Sequence, residues 1–209
     1  MLKKSQFILI VPNKVQSGAA IGTLPFMCEK ILRRVLPLLS VLITLFLPVA
    51  PVAGAESDAS EYQVKAAFLY NFARFVDWPA GSLSDSIFVL GVVGDDPFGS
   101  SLDRVVDDKT IRGRNIVVRR YKRASDIQTC HLLFISESER DNVGKILDRV
   151  EKRPILTVSE IDGFIARGGM INFTIESKRV RFDINSGAAE RVDLRVSARL
   201  LQLARNVRR

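Results

Sequence analysis

The chain has 209 residues, 31 Lys and Arg against 23 Asp and Glu, a formal charge of +8, and 47% hydrophobic side chains. Two cysteines and one histidine leave too few ligands for a Cys/His zinc centre. Nucleic-acid binding is excluded too: residues 1–55 hold six of the 31 basic residues and one of the 23 acids, leaving 25 against 22, about +3, in residues 56–209.

In chain order, residues 1–26 lack the character of an export signal, and Met27 stands directly before CEKILRR. The expectation is that residues 1–26 are a gene-model extension ahead of the true start. Residues 27–55 have the layout of a signal peptide. Lys30, Arg33 and Arg34 form the basic flank, Val35 to Val49 the apolar stretch, and Ala53-Gly54-Ala55 the small-residue exit, with cleavage expected after Ala55. A membrane-anchoring helix is the alternative; Pro37, Pro48 and Pro51 favour cleavage. Export would leave Cys130 as the only cysteine, so no internal disulfide could form. Residues 56–209 suit one domain with a real core.

Within that domain, periodicity predicts a helix over Glu61 to Trp78, ending before Pro79. A strand follows at Ile87 to Gly94, a helix from Phe98 to Asp107, and strands at Asn115 to Tyr121 and His131 to Ser136. Next come a helix from Glu137 to Lys152, a strand at Pro154 to Ser159, and a short helix from Ile161 to Arg167 closed by Gly168-Gly169. Alternation in MINFTIESKRVRFDIN predicts a hairpin around Ser177-Lys178, pairing Glu176 with Arg179 and Phe173 with Phe182, although neither loop residue favours positive φ. A last helix is predicted from Ala188 to Val207. The fold expected is α/β in three layers: a mainly parallel sheet flanked by helices, with a C-terminal antiparallel hairpin.

The loop GVVGDDPFG fits neither a dinucleotide nor a P-loop pattern, and Asp95 and Asp96 would repel an anion there. A receiver-type phosphorylation site is rejected because the matching central strand ends in Ser136. Asp95 or Asp96 is expected to cap the following helix, with Pro97 in its first turn. The basic cluster at Arg119 to Arg123 reads as a solvated strand end. Cys130 and His131, adjacent in a strand, point to opposite faces and cannot form a catalytic pair; Cys130 is either a buried strand residue or a free thiol that dimerises the protein on oxidation. No catalytic residue, metal or cofactor is expected.

The first helix carries two apolar stripes. One is Tyr62, Ala66, Leu69, Ala73 and Val76; the other is Val64, Phe68, Phe72 and Phe75. Either the helix is packed between sheet and final helix, or part of this surface meets another protein, a second copy or a partner.

The blocks YQVKAAFLYNFARFVDWP, GVVGDDPFG, GRNIVVRR, ILTVSEIDGFIARGGMINFTIESKRVRFDIN and AAERVDLRVSARLLQLA, taken as a series, resemble the YfiR family of periplasmic proteins. The resemblance spans Glu61 to Asn206. It implies a periplasmic negative regulator that binds the periplasmic segment of an inner-membrane diguanylate cyclase of the YfiN type and lowers cyclic di-GMP synthesis, affecting biofilm formation and motility. It further implies a homodimer; on this reading the expectation is that envelope stress or an outer-membrane partner relieves repression by sequestering the protein. Relatives can carry disulfide-forming cysteine pairs, a pattern from which Cys130 alone departs. The contact residues expected are an outward stripe of Tyr62, Leu69 and Val76, Trp78 at the helix end, and Asp95, Asp96 and Phe98 on the neighbouring loop. The competing expectation is a periplasmic module binding a small molecule at the loop edge formed by Gly94 to Phe98, Ser136 and Ser159-Glu160.

Overall fold

The apolar runs IFVLGVV, LLFI and LTVS are too short for helices buried on all sides and pair instead as neighbouring central strands. The computed structural model describes residues 53–83 and 86–209. The expectations for residues 1–26 and for the apolar stretch of 27–55 therefore fall outside the described residues. In chain order the elements are α1 (Ala53–Phe75), β1 (Val76–Asp77), β2 (Ile87–Val93), α2 (Ser100–Val106), β3 (Thr110–Ile111), β4 (Arg114–Tyr121), β5 (Leu132–Ile135), α3 (Val143–Val150) and β6 (Leu156–Ser159). The C-terminal part adds β7 (Ile171–Glu176), β8 (Arg179–Asn185), α4 (Ser186–Glu190), β9 (Arg195–Val196), α5 (Ala198–Leu203) and β10 (Asn206–Arg208).

Eight strands form one sheet in the order β10-β8-β7-β6-β5-β2-β4-β3. The pairs β4–β2, β2–β5, β5–β6 and β6–β7 are parallel, whereas β8 runs antiparallel to β7 and β3 to β4. A separate antiparallel pair joins β1 to β9. This is the α/β architecture expected, hairpin included. Alternation along β2 and β5 creates two cores: Phe88, Leu90, Val92, Leu132 and Phe134 pack with α1 and α2, while Val89, Val93, Leu133 and Ile135 pack with α3. The hairpin has the expected register, Phe173 facing Phe182 and Glu176 facing Arg179. Its turn places Ser177 at φ 48° and Lys178 at φ 61°, so tertiary packing on Phe173 and Phe182 holds a turn that its own residues disfavour.

Four local expectations are corrected. The segment predicted as one helix over Ala188 to Val207 breaks into α4, β9, α5 and β10. Asp193 takes φ 58° and Leu194 N–H returns to the Ala189 carbonyl, which ends α4, and Ser197 starts α5 by accepting from Leu200 N–H. The released residues then pair, Val196 with Val76 and Arg195 with Asp77. Residues 161–167 form turns instead of a helix because Gly163 sits at φ 76°. The helix expected from Glu137 narrows to Val143–Val150, preceded by a 3-10 turn at Glu137–Glu139. Finally, α1 ends at Phe75, and Val76 and Asp77 become strand β1.

The largest correction concerns the face of α1. The stripe expected to point outward points inward: Leu69 and Val76 are fully buried, with Ala66 and Ala73 beside them. Phe72, from the other stripe, is equally buried, stacks on Phe173 at 5.5 Å and meets Phe182 edge-on at 4.9 Å. The helix lies on the sheet while contacting α2, α5 and β8, so a single helix has more than one apolar neighbour and needs both stripes. Trp78 is buried against Phe88, ring centroids 5.2 Å apart.

Candidate functional site

The carboxyl ends of the parallel strands and the amino-terminal half of α1 meet in a charged cluster. Lys65 is 4% exposed on its side chain and pairs with both Glu61, one turn earlier, and Glu160, just past β6. Tyr62 donates its hydroxyl to Glu160 Oε1 at 3.0 Å, and Lys65 Nζ lies 4.5 Å from the Tyr62 ring centroid. A buried lysine facing two carboxylates and an aromatic ring is stable because every charge is answered locally. Chemically the cluster is an anchor: it fixes the helix to the sheet edge and sets the height of everything on the exposed side of α1.

Next to that anchor, α1 and the hairpin diverge and leave an apolar groove of about 650 Å³. Val64 (43% exposed) and Ile175 (51% exposed) stand on its two walls, half-buried Phe68 and Val180 form its floor, and Glu61, Lys178 and Arg179 edge it. Among the described residues Val64 and Ile175 are two of four large apolar side chains left exposed, with Leu203 and Val207, and they are the two that share one groove.

The loop after β2 is organised by Arg120. Its guanidinium donates to Asp96 Oδ2 at 2.6 Å, to Asp103 Oδ2 at 2.6 Å and to the Gly99 carbonyl at 3.0 Å. Hydrogen bonding from Arg120 outweighs burial and holds the Asp103 carboxyl below its ordinary range, and the same bond raises the guanidinium. The strand-end cluster at Arg119 to Arg123 thus contributes a structural cation. Asp96 does not cap α2: it accepts from Phe98 N–H at 2.8 Å, closing a turn before the helix, and Gly99 occupies the capping position with no side-chain bond. Gly94 is required here, since at φ 90° an added Cβ would lie 2.5 Å from Ser138 Oγ.

Of the contact residues expected from sequence, Asp95 is exposed, and Tyr62 and Asp96 are half-buried at the same edge. Phe98 is buried, edge-on to Tyr62 at 5.6 Å and to Phe134 at 4.8 Å. Leu69, Val76 and Trp78 belong to the core, so they support the surface from beneath instead of forming it. The groove residues Val64 and Phe68 were visible only as the second stripe, while Ile175 and Val180 gave no signal beyond hairpin alternation. At the loop edge, Ser138 Oγ accepts from Asp95 N–H, Ser159 Oγ donates to the Ile135 carbonyl, and Glu160 is held by Lys65 and Tyr62. Of the groups expected to greet a small molecule, Ser159 and Glu160 are thus already engaged within the fold.

Cys130 is buried as expected, but it lies in the loop just before β5 and not in a strand. Burial pushes its thiol up to about 12, which removes the thiolate needed for oxidative dimerisation. Among the described residues, no three His, Cys, Asp or Glu side chains gather so as to hold a metal ion, and no helix is long and apolar enough to cross a membrane.

A family model described as YfiR/HmsC-like matches residues 62–205. Comparison with curated proteins gives no match. Among solved structures, a conserved domain protein from Vibrio cholerae O1 biovar El Tor strain N16961 is similar, with a TM-score of 0.49 and 10% identity. That similarity covers 68% of this chain and 60% of the Vibrio chain, so the match spans somewhat less than two thirds of the Vibrio chain's length.

Proposed function

This chain belongs to the YfiR/HmsC-like family, and from that premise we propose that it is a periplasmic negative regulator of an inner-membrane diguanylate cyclase. The family is known for periplasmic regulation of such cyclases and is one of regulators, not of enzymes. In our reading the protein binds the cyclase's periplasmic segment and lowers cyclic di-GMP synthesis across the membrane. Such control requires unequal affinity: the regulator shifts the cyclase only by the difference between its binding to the inactive and the active form. It acts as a homodimer, and an outer-membrane protein that sequesters it relieves the repression.

The observation that carries this reading is the groove. Exposed Val64 and Ile175 above a floor of Phe68 and Val180 offer apolar area that no element of this chain covers among the described residues. Tyr62, Asp95 and Asp96 extend the surface along the adjoining loop edge, and the Lys65 anchor makes it rigid before the partner arrives.

The test has two arms. Deleting the gene should raise cellular cyclic di-GMP, and the purified protein should bind the periplasmic segment of a cyclase encoded beside it. Val64→Glu with Ile175→Glu should weaken that binding by about 30-fold, the effect of losing a hot spot of about 2 kcal/mol, with the melting temperature unchanged. Unchanged cyclic di-GMP together with no binding by the native protein would remove the proposal.

A further inference from the structure

One side of the main sheet ends in β2-β4-β3, yet β3 covers little of β4. The chain coming from α2 turns at Asp108, φ 54°, and reaches the edge only at Thr110. It therefore pairs just Thr110 with Asn115 and Ile111 with Arg114. Among the described residues no strand lies beside Ile116 to Tyr121 on that side.

The register shows which backbone groups are left open. The Tyr121 carbonyl accepts from Gly94 N–H at 3.0 Å, on the β2 side. Successive residues of a strand turn their N–H and C=O to opposite sides, so Val117, Arg119 and Tyr121 face β2. Ile116, Val118 and Arg120 face outward, as Arg114 does towards β3. Native sheets blunt such an edge with a charge, a proline or a covering element. Ile116, Val117 and Val118, all half-buried, supply neither charge nor proline. Beside Ile116 and Val118, a groove of about 390 Å³ bordered by the end of α2 leaves room for the side chains of an added strand.

Charge decides what fits the edge. Asp107 and Asp108 stand exposed at its amino end, and Lys122 and Arg123 stand exposed at its carboxyl end. None of these four has an ion-pair partner among the described residues. Lys109, also at the amino end, is turned back: it donates to the Val105 carbonyl and lies 4.8 Å from the Tyr70 ring centroid. An edge that is acidic at one end and basic at the other complements itself when a copy runs antiparallel to it.

We propose that β4 pairs antiparallel with β4 of a second copy, joining the two sheets into one across a two-fold axis at Val118. Outward backbone groups must meet outward ones, and like charges face to face are destabilising. Centring on Val117 would set Arg120 against the partner's Arg114, and centring on Arg119 would set that residue against its own counterpart. Centring on Val118 sets Ile116 against Arg120 and Val117 against Arg119. The bend carrying Lys122 and Arg123 then comes beside Asp107 and Asp108 of the other copy, where Arg114 is drawn off to the Leu83 and Arg112 carbonyls. In the strand order β6, β5 and β2 separate this edge from the hairpin, so each copy keeps its groove open. The proposal rests on the homodimer in the functional reading and on no other part of it.

Light scattering on the purified protein should give the mass of two chains. Asp107→Lys with Asp108→Lys should raise the dimer dissociation constant at least about tenfold by setting like charges together. Adding Lys122→Glu with Arg123→Glu to the same chain should restore it, and the melting temperature reports folding of each variant. Val118→Cys should give a covalent dimer on mild oxidation, because hydrogen-bonded antiparallel partners have Cα atoms about 5.5 Å apart, within the span of a disulfide. The buried Cys130 does not compete. A monomeric native protein overturns both this surface and the homodimer. A dimer indifferent to the charge reversal, or one in which Val118→Cys fails to crosslink, overturns the surface and leaves the homodimer standing. Neither result bears on the cyclic di-GMP and cyclase-binding measurements, which test the regulator reading separately.

Discussion

The backbone N–H of Val89 donates to Nδ1 of His131 across 2.9 Å, inside the layer where β2 meets β5. The opposite ring nitrogen lies 3.2 Å from the Ser82 carbonyl, and the ring stacks on Phe88 at 4.9 Å. The only histidine of the chain therefore works as a backbone clamp. It starts the β2–β5 ladder and holds the loop before β2 against it, with the proton on Nε2.

His131→Ala should then cost about 1–3 kcal/mol, because a buried donor on Val89 loses its acceptor. His131→Asn, whose side-chain oxygen reaches towards the same position, should recover part of the loss. Urea unfolding midpoints check both, and an alanine variant as stable as the native chain would deny the clamp.

The Lys65 cluster makes a sharper demand. Lys65→Met leaves Glu61 and Glu160 facing each other near the sheet edge without their shared cation, and breaking a buried pair in this way costs about 3–5 kcal/mol. The double variant Lys65→Met with Glu160→Gln should be more stable than Lys65→Met alone, since it removes the stranded charge. Thermal denaturation of the single and double variants measures that non-additivity.

The hairpin turn holds two non-glycine residues at positive φ. Replacing Ser177-Lys178 by Asn-Gly suits that geometry and should stabilise the domain by about 0.4–1 kcal/mol. The expected readout is a higher denaturation midpoint with an unchanged m-value.

Acid should unfold the protein partly through Asp183. Burial pushes its carboxyl up, but hydrogen bonds from Arg205 and Asn206 prevail and bring it below the ordinary value of 3.8. A carboxyl lowered in the native state contributes stability that is complete above the unfolded value and is lost as pH falls through the native one. Stability should thus decline below about pH 4, and Asp183→Asn should make that decline shallower. Fluorescence-detected unfolding between pH 2 and 6, set against the native chain, provides the comparison.

Much was legible without coordinates. Local apolar runs bounded by Gly, Pro and Asp marked β2, β4, β5 and β6, and strict alternation marked both strands of the hairpin and their register, because a one-residue slip would turn Phe173 and Phe182 out of the core. The linked blocks from Glu61 to Asn206 pointed to the family that the chain proved to match. Less legible was the C-terminal segment: Arg191, Arg195 and Arg199 repeat at helical spacing, yet Asp193 at positive φ and the pairing of Val196 with Val76 cut that helix apart.

What residues 56–209 determine by themselves is a pattern of faces: which side chains alternate, which fall on stripes, and how many charges must find partners. Which face becomes surface was decided by the tertiary structure alone, because burial depends on neighbours distant in the chain. The stripe of Tyr62, Leu69 and Val76 read as the outward one until the sheet, α2 and α5 closed over Leu69, Val76 and Phe72 and left Val64 in the open.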